Sequence, residues 1–410
     1  MTSLDHVTAI LPGSPEWADL LARIALGAKG RDLNDENPFD QVAALKRAGF
    51  GALRLPEHLG GAGLTVRQLF STVIDVAHAD PIVAHIFRTH FWFVEERLRT
   101  AGDPASHQWL RKVADGKIFG NAFSEKGSLA VGSLVFNTRL LPDPTSAGGY
   151  RLNGEKYYST GTLFSDYLTV ATTTDRDSVA TVVVPVDRDG VRLIDDWDGF
   201  GQRRTGTGST VFTNVAVSED EVLSDTPYGA DPVPTVQYAA LQLYIHAVVA
   251  GILASVVDDG VALLRSRDRS FSHALSERPT DDPLYQKQLG ELAATAYIAK
   301  AVVLDAADAI AAATESIGVG TPQGVPDARL AGEAQLKVAK VKVHLDDIAA
   351  SAASRLLELG GASAASRQRN LDRHWRNIRT ITLHNPVAYK ARVIGQNLLH
   401  GTPVPANAYF

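Results

Sequence analysis

The chain has 410 residues, enough for two or three domains that pack as one body, and its balance of 45% hydrophobic to 21% charged residues argues against extended disorder. A formal net charge of −6, with the basic residues spread out, is not the footprint of a nucleic-acid binder. With no cysteine, disulfides, thiolate metal sites and cysteine nucleophiles are excluded.

The first residues, Met1 to Gly13, carry acids and a proline where a secretory signal needs a basic start and an apolar run. No stretch is read as a membrane helix, so a cytoplasmic protein without a membrane partner is expected. From Ser14 to about Gly116 apolar residues recur every three or four positions, as in Val42, Leu45, Ala48 and Leu69, Val73, Val76, which predicts helices. The glycines of Leu55–Gly63 lack the preceding strand and βαβ unit of a dinucleotide fingerprint and predict a tight turn instead.

From Ile118 to about Leu223 the period is two, with β-branched runs at Tyr167–Thr174, Val179–Val186 and Thr210–Val217. Gly148-Gly149, Asn153-Gly154 and Asp189-Gly190 between strands favour tight reversals, hence an antiparallel sandwich or barrel. The helical period returns over 233–275, 284–316, 328–359 and 370–400, with a break at Gly318–Pro326, and predicts an alanine-rich four-helix bundle that also packs against copies of itself. The domains are therefore 1–116 helical, 117–228 β and 229–410 helical bundle, an α+β chain.

Hydrolytic and metal signatures are missing: no His-Glu-x-x-His, no Gly-x-Ser-x-Gly, no Walker lysine loop, and no metal site is expected. His85 and His90 would lie about 140° apart around one helix, so at most one faces a given site. Asn121–Glu125 and Tyr157–Gly161 end β segments where loops hold ligands, although such strand ends also satisfy their own backbone, and Trp197 is either a packing residue or a cofactor wall. Arg369, Arg373 and Arg376 share a helix face that is either solvated or meets an anion. His384 precedes Asn385-Pro386 at a helix break, a position suited to proton transfer as well as to packing.

Read together, these segments resemble the acyl-CoA dehydrogenase superfamily over essentially the whole chain. Pro56-Glu57-x-x-Gly60-Gly61-x-Gly63 is similar to its N-terminal loop. Gly120-Asn121-Ala122-x-Ser124-Glu125, Asn153-Gly154-x-Lys156, Ser159-Thr160-Gly161, Asp195-Asp196-Trp197 and Gly208-Ser209-Thr210 resemble its flavin-dependent monooxygenase branch, of the dibenzothiophene monooxygenase type. So does the run from Trp375-Arg376-Asn377-x-Arg379-Thr380 through Leu383-His384-Asn385-Pro386 to Tyr389-Lys390.

The resemblance implies an N-terminal helical domain, a central antiparallel β domain and a C-terminal four-helix bundle, assembled as a homotetramer. It also implies a two-component enzyme: reduced flavin, FMNH2 or FADH2, arrives from a separate NAD(P)H:flavin reductase, molecular oxygen is co-substrate, and a C4a-hydroperoxyflavin oxygenates a small aromatic, sulfur- or nitrogen-containing substrate. By the same resemblance His384 serves the hydroperoxide, His90 is a second active-site histidine, and Thr160 and Asn121 assist. Asn121, Phe123, Ser124, Tyr158, Ser159, Thr160 and Trp197 line the flavin and substrate cavity, and Arg269 takes the flavin phosphate. The alternatives are an acyl-CoA dehydrogenase with a relocated base, since Thr382-Leu383-His384-Asn385 has no carboxylate where many of these enzymes carry a glutamate, and a non-catalytic ligand binder of the same fold.

Overall fold

A computed structural model describes residues 9–127, 134–230, 235–317 and 324–405. The extreme N-terminus, the helix start at 233–234 and most of the Gly318–Pro326 break lie outside them. Among the described residues seven α-helices come first: α1 (Pro15–Ala25), α2 (Ala28–Asn34), α3 (Phe39–Arg47), α4 (Val66–Ala79), α5 (Pro81–Ile86), α6 (Arg88–Arg99) and α7 (Pro104–Ala114). Their starts are written locally. Ser14, Thr65, Asp80 and Asp103 cap backbone N–H groups of α1, α4, α5 and α7, and proline occupies the first turn of α1, α5 and α7. The Gly60-Gly61 loop is a tight turn: Gly60 has φ +86°, and a Cβ on Gly61 would lie 2.1 Å from the Leu55 carbonyl.

Eight strands follow: β1 (Phe119–Ala122), β2 (Arg139–Pro142), β3 (Tyr150–Lys156), β4 (Tyr167–Thr174), β5 (Ser178–Pro185), β6 (Val191–Ile194), β7 (Ser209–Val217) and β8 (Val222–Pro227). They form a sheet ordered β6-β7-β3-β2-β4-β5-β8, with β1 beside β4. The glycine-marked reversals give antiparallel pairs such as β2–β3. The antiparallel expectation fails at β4, which β1 and β2 both meet in parallel. Both reach β4 through long connections, as parallel pairing requires.

The C-terminal region contains α8 (Gln237–Arg265), α9 (Pro283–Glu315), α10 (Ala328–Arg355), α11 (Arg373–Thr382) and α12 (Val387–His400). The fourth segment of the bundle is thus split by Pro386, which opens α12 after the His384-Asn385 turn. One further expectation is corrected: α8 is long and apolar enough to cross a membrane by length and composition. Its apolar surface is instead buried in the core, and Gly251 lets it touch α4, where a Cβ would come within 2.5 Å of Ala77 Cβ. The N-terminal helices and the bundle therefore share one apolar core, which runs from Phe50 and Val73 to Leu253 and Leu345. Phe93 of α6 stacks on Phe119 of β1 at 4.0 Å between ring centres, in a separate apolar cluster that joins α6 and α7 to the sheet.

Candidate active site

The site forms where the ends of β1 and β3 and the 195–208 loop face α5, α6, the start of α8 and the α11–α12 turn. Its sheet side is held by a buried ion pair. Lys156 Nζ lies 2.8 Å from Glu125 Oε1 and donates to the Phe123 carbonyl at 3.0 Å, while Glu125 accepts the amides of Asn137 and Thr138. Burial pulls the Lys156 pKa down to about 8 against the opposing pull of Glu125. Burial likewise opposes ionisation of Glu125, but Lys156 and the amides outweigh it and its pKa falls. These two family-like residues thus fasten the Asn121–Glu125 segment to the Lys156–Gly161 turn rather than carrying chemistry.

In that turn Tyr158 has φ +59° and an exposed ring, and Gly161 has φ +85° and would place a Cβ 2.5 Å from the Ile86 carbonyl, two separate reasons for glycine there. Thr160 begins a hydroxyl relay: Oγ1 meets Thr207 Oγ1 at 2.7 Å, Thr207 meets Thr205 Oγ1 at 2.8 Å, and Thr205 donates to the Gln202 carbonyl at 2.9 Å. Gln202 Oε1 is 2.9 Å from His85 Nδ1, and the Gln202 amide donates to Asn377 Oδ1 at 2.7 Å. The last contact docks α11 on the loop, helped by Gly201, where a Cβ would lie 2.2 Å from the Arg376 carbonyl. Ser159 Oγ and Asn121 Oδ1 are buried and make no hydrogen bond, and Asn121 sits on β1 beside Thr169 of β4. Buried polar atoms without partners ask for a ligand that offers donors and acceptors, and the polar edge of a flavin ring meets that requirement.

His384 lies in the turn between α11 and α12. The residue is exposed, while protein atoms crowd the rest of its imidazole ring. Arg88 Nη2 lies 3.3 Å from His384 Nε2. A guanidinium only donates, so Nε2 accepts and the proton of the neutral ring is assigned to Nδ1. Nδ1 has no hydrogen-bond partner among the described residues. Burial, reinforced by the charges of Arg88, Lys342, His85 and Lys390, holds the ring's pKa well below the usual histidine value. His384 is therefore a neutral N–H donor at neutral pH.

The expected residues do not all converge. Phe123 packs edge-on against Trp92 of α6 at 5.3 Å, and Ser124 accepts the Tyr157 amide. Trp197 turns its Nε1 to its own loop at Gly201, 3.1 Å away, with its ring 6.0 Å from that of Tyr158. His90 departs from the expectation. It is fully buried, its Nε2 bonds to the Gly51 carbonyl at 2.9 Å and its Nδ1 accepts the Phe119 amide at 3.2 Å. Both nitrogens are committed to backbone, and burial lowers the pKa to about 4, so His90 clips α6 to β1 and the Gly49–Ala52 turn and offers nothing to a ligand. His85 is on α5 and His90 on α6, so the single-helix argument fails in its premise, although only His85 faces the site.

Arg269 is exposed in the α8–α9 connection, with no hydrogen bond or ion pair among the described residues. Leu241, whose carbonyl accepts from Arg88 at 3.0 Å, is near the start of α8. At 1.5 Å per residue Arg265 lies about 36 Å further on, and four residues can return at most about 14 Å. Arg269 is thus roughly 20 Å or more from the His384 cluster of its own chain. The Arg369, Arg373 and Arg376 face does not form either: Arg369 sits in a turn before α11, and Arg373 and Arg376 bind Asp259 and Asp32.

Residues 20–117 match the acyl-CoA dehydrogenase N-terminal domain and residues 243–389 the acyl-CoA dehydrogenase C-terminal domain. Dibenzothiophene monooxygenase of Mycolicibacterium goodii is 29% identical over 388 residues, 92% of this chain and 91% of the relative. A protein of Pseudomonas putida described as a probable FMNH2-dependent monooxygenase, SfnC, is 27% identical, with 95% of each chain covered. The crystal structure of FMN-bound TdsC from Paenibacillus sp. A11-2 superposes with a TM-score of 0.85 at 28% identity, covering 96% of this chain and all of that one. The chain belongs to the acyl-CoA dehydrogenase superfamily, in its flavin-dependent monooxygenase branch.

Proposed function

We propose that this protein is the oxygenase of a two-component system, receiving reduced flavin from a separate NAD(P)H:flavin reductase and inserting one atom of O2 into a small organic substrate. Reduced flavin, when bound, supplies the chemistry by reacting with oxygen at C4a and delivering one oxygen atom while the other leaves as water. The protein's part is to bind, orient and keep water out. Ser159 and Asn121 would hold the flavin's polar edge, and the Thr160–Thr207–Thr205 relay would fix the orientation of the Thr160 hydroxyl.

His384 carries the proposal. A neutral imidazole with a free Nδ1–H, locked in one tautomer by Arg88, can donate to a developing oxygen anion without ionising at rest. The charges that bear most on it are all basic, and among the described residues no carboxylate is hydrogen-bonded or ion-paired to it, which counts against a dehydrogenase base at this position.

The flavin phosphate would be met by Arg269 of a second copy, because Arg269 of the same chain lies too far from the His384 cluster; a homotetramer would supply that copy. The test is titration with oxidised and reduced FMN followed by anaerobic addition of acyl-CoA. An oxygenase binds reduced FMN more tightly, and its flavin is not bleached by acyl-CoA. Bleaching would restore the dehydrogenase.

A further inference from the structure

We propose that Arg88 anchors an anionic head group on the substrate, so that this oxygenase takes small organic oxyanions, carboxylates or sulfinates, with an apolar body. As a statement about substrate the inference rests on the function proposed above; as a statement about binding it stands alone. Several interior cations among the described residues are paired with carboxylates: Arg31 with Asp80, Arg54 with Glu95, Lys156 with Glu125, Lys342 with Asp346. Arg88 breaks the pattern. It is 6% exposed, and no carboxylate pairs with it among the described residues. Its Nε donates to the Leu241 carbonyl and Nη2 to His384, which leaves both Nη1 protons without an acceptor among the described residues.

Neighbouring groups do not neutralise it. Arg88, Trp92, Tyr244 and Glu95 line one small cavity, but both Glu95 oxygens are held by Arg54, at 2.6 and 3.3 Å. The Tyr244 hydroxyl donates to the Ala84 carbonyl and stays protonated, since burial raises its pKa. Lys342, Lys390 and His85 add only basic character around the His384 that Arg88 touches. Burial lowers the Arg88 pKa to about 10, which still leaves it charged at neutral pH.

A buried, unpaired guanidinium is costly, and a planar oxyanion removes that cost with two parallel charge-assisted hydrogen bonds. One helical turn along α6, Trp92 presents an apolar surface that Phe123 meets edge-on and Tyr238 stacks against at 6.4 Å. An anion on Arg88 with its apolar body against Trp92 would lie beside His384.

The experiment is calorimetric titration of the full-length, FMN-saturated protein with benzoate and benzenesulfinate, and with benzamide as the neutral counterpart. The anions are expected to bind at least about 10-fold more tightly than benzamide, the low end for a charge-assisted hydrogen bond, and added chloride is expected to weaken only the anions. Arg88→Gln should cost the anions about 10- to 150-fold and leave FMN affinity unchanged; Arg88→Lys should recover part of the loss.

Equal binding of anion and amide by the wild type, or no measurable anion binding, would overturn the proposal without any variant. So would an Arg88→Gln loss that falls on FMN rather than on the anions, which would assign Arg88 to the cofactor. Anion binding through Arg88 in a protein that oxygenates nothing would sink the proposed function and leave the anion site standing.

Discussion

Replacing His90 by phenylalanine keeps the ring's bulk and removes both nitrogens, which orphans the Gly51 carbonyl and the Phe119 amide that they satisfy. Two buried groups at about 1–3 kcal/mol each give a loss of about 2–6 kcal/mol at neutral pH. The pH dependence isolates the residue further. With the folded pKa lowered from 6.5 to about 4, the unfolded chain binds the extra proton first. The His90 contribution is therefore complete above pH 6.5 and lost as pH falls toward 4. Two and a half pK units correspond to about 3 kcal/mol in all, of which about 2 kcal/mol is gone by pH 5. Urea unfolding of wild type and His90→Phe at pH 7 and pH 5 measures this directly, since the other buried histidines cancel in the difference. Wild type should lose about 2 kcal/mol more than the variant over that interval. A His90→Phe protein as stable as wild type, with the same acid response but impaired oxygen transfer, would refute the backbone-clip role and return His90 to the active site.

Lys156→Met strands the Glu125 carboxylate in the interior and should cost about 3–5 kcal/mol in chemical denaturation, with most of it recovered in the Glu125→Gln, Lys156→Met double variant. Ser159→Ala removes a hydroxyl that has no partner in the free protein, so melting should be unchanged or slightly improved, while reduced-FMN affinity falls about 5- to 10-fold for one lost hydrogen bond. Arg269→Ala should weaken reduced-FMN binding and leave the chain's fold intact, and light scattering of the wild type should give a tetramer; a monomer at micromolar concentration would remove both expectations.

Much of the scaffold was legible because it is written in local chemistry: the apolar period of α4, the β-branched runs of β4, β5 and β7, and the glycines of the Gly60-Gly61 turn. Segments such as Ser124-Glu125 with Lys156, or Asp196 with Ser209, were visible as motifs but not as the tertiary clips they prove to be. What spacing could not report was which partner each side chain meets across the fold. His90 and His384 look equally reactive in sequence, and only the Gly51 and Phe119 contacts disqualify the first. Arg88 gave no signal, since an arginine on a helix ordinarily snorkels or pairs, and its isolation depends on where α8 and the α11–α12 turn cross α6. The length of α8, invisible as a functional constraint, is what separates Arg269 from the cluster.

The role of His384 is tested most directly by a stopped-flow reaction of the reduced-FMN complex with oxygen and substrate, comparing wild type with His384→Ala and following product and hydrogen peroxide together. If His384 Nδ1 delivers a proton during oxygen transfer, the variant stays folded and binds reduced FMN, product falls by about 10²- to 10⁴-fold, and the reducing equivalents emerge as peroxide. A folded variant that yields product at the wild-type rate, without extra peroxide, would contradict that role.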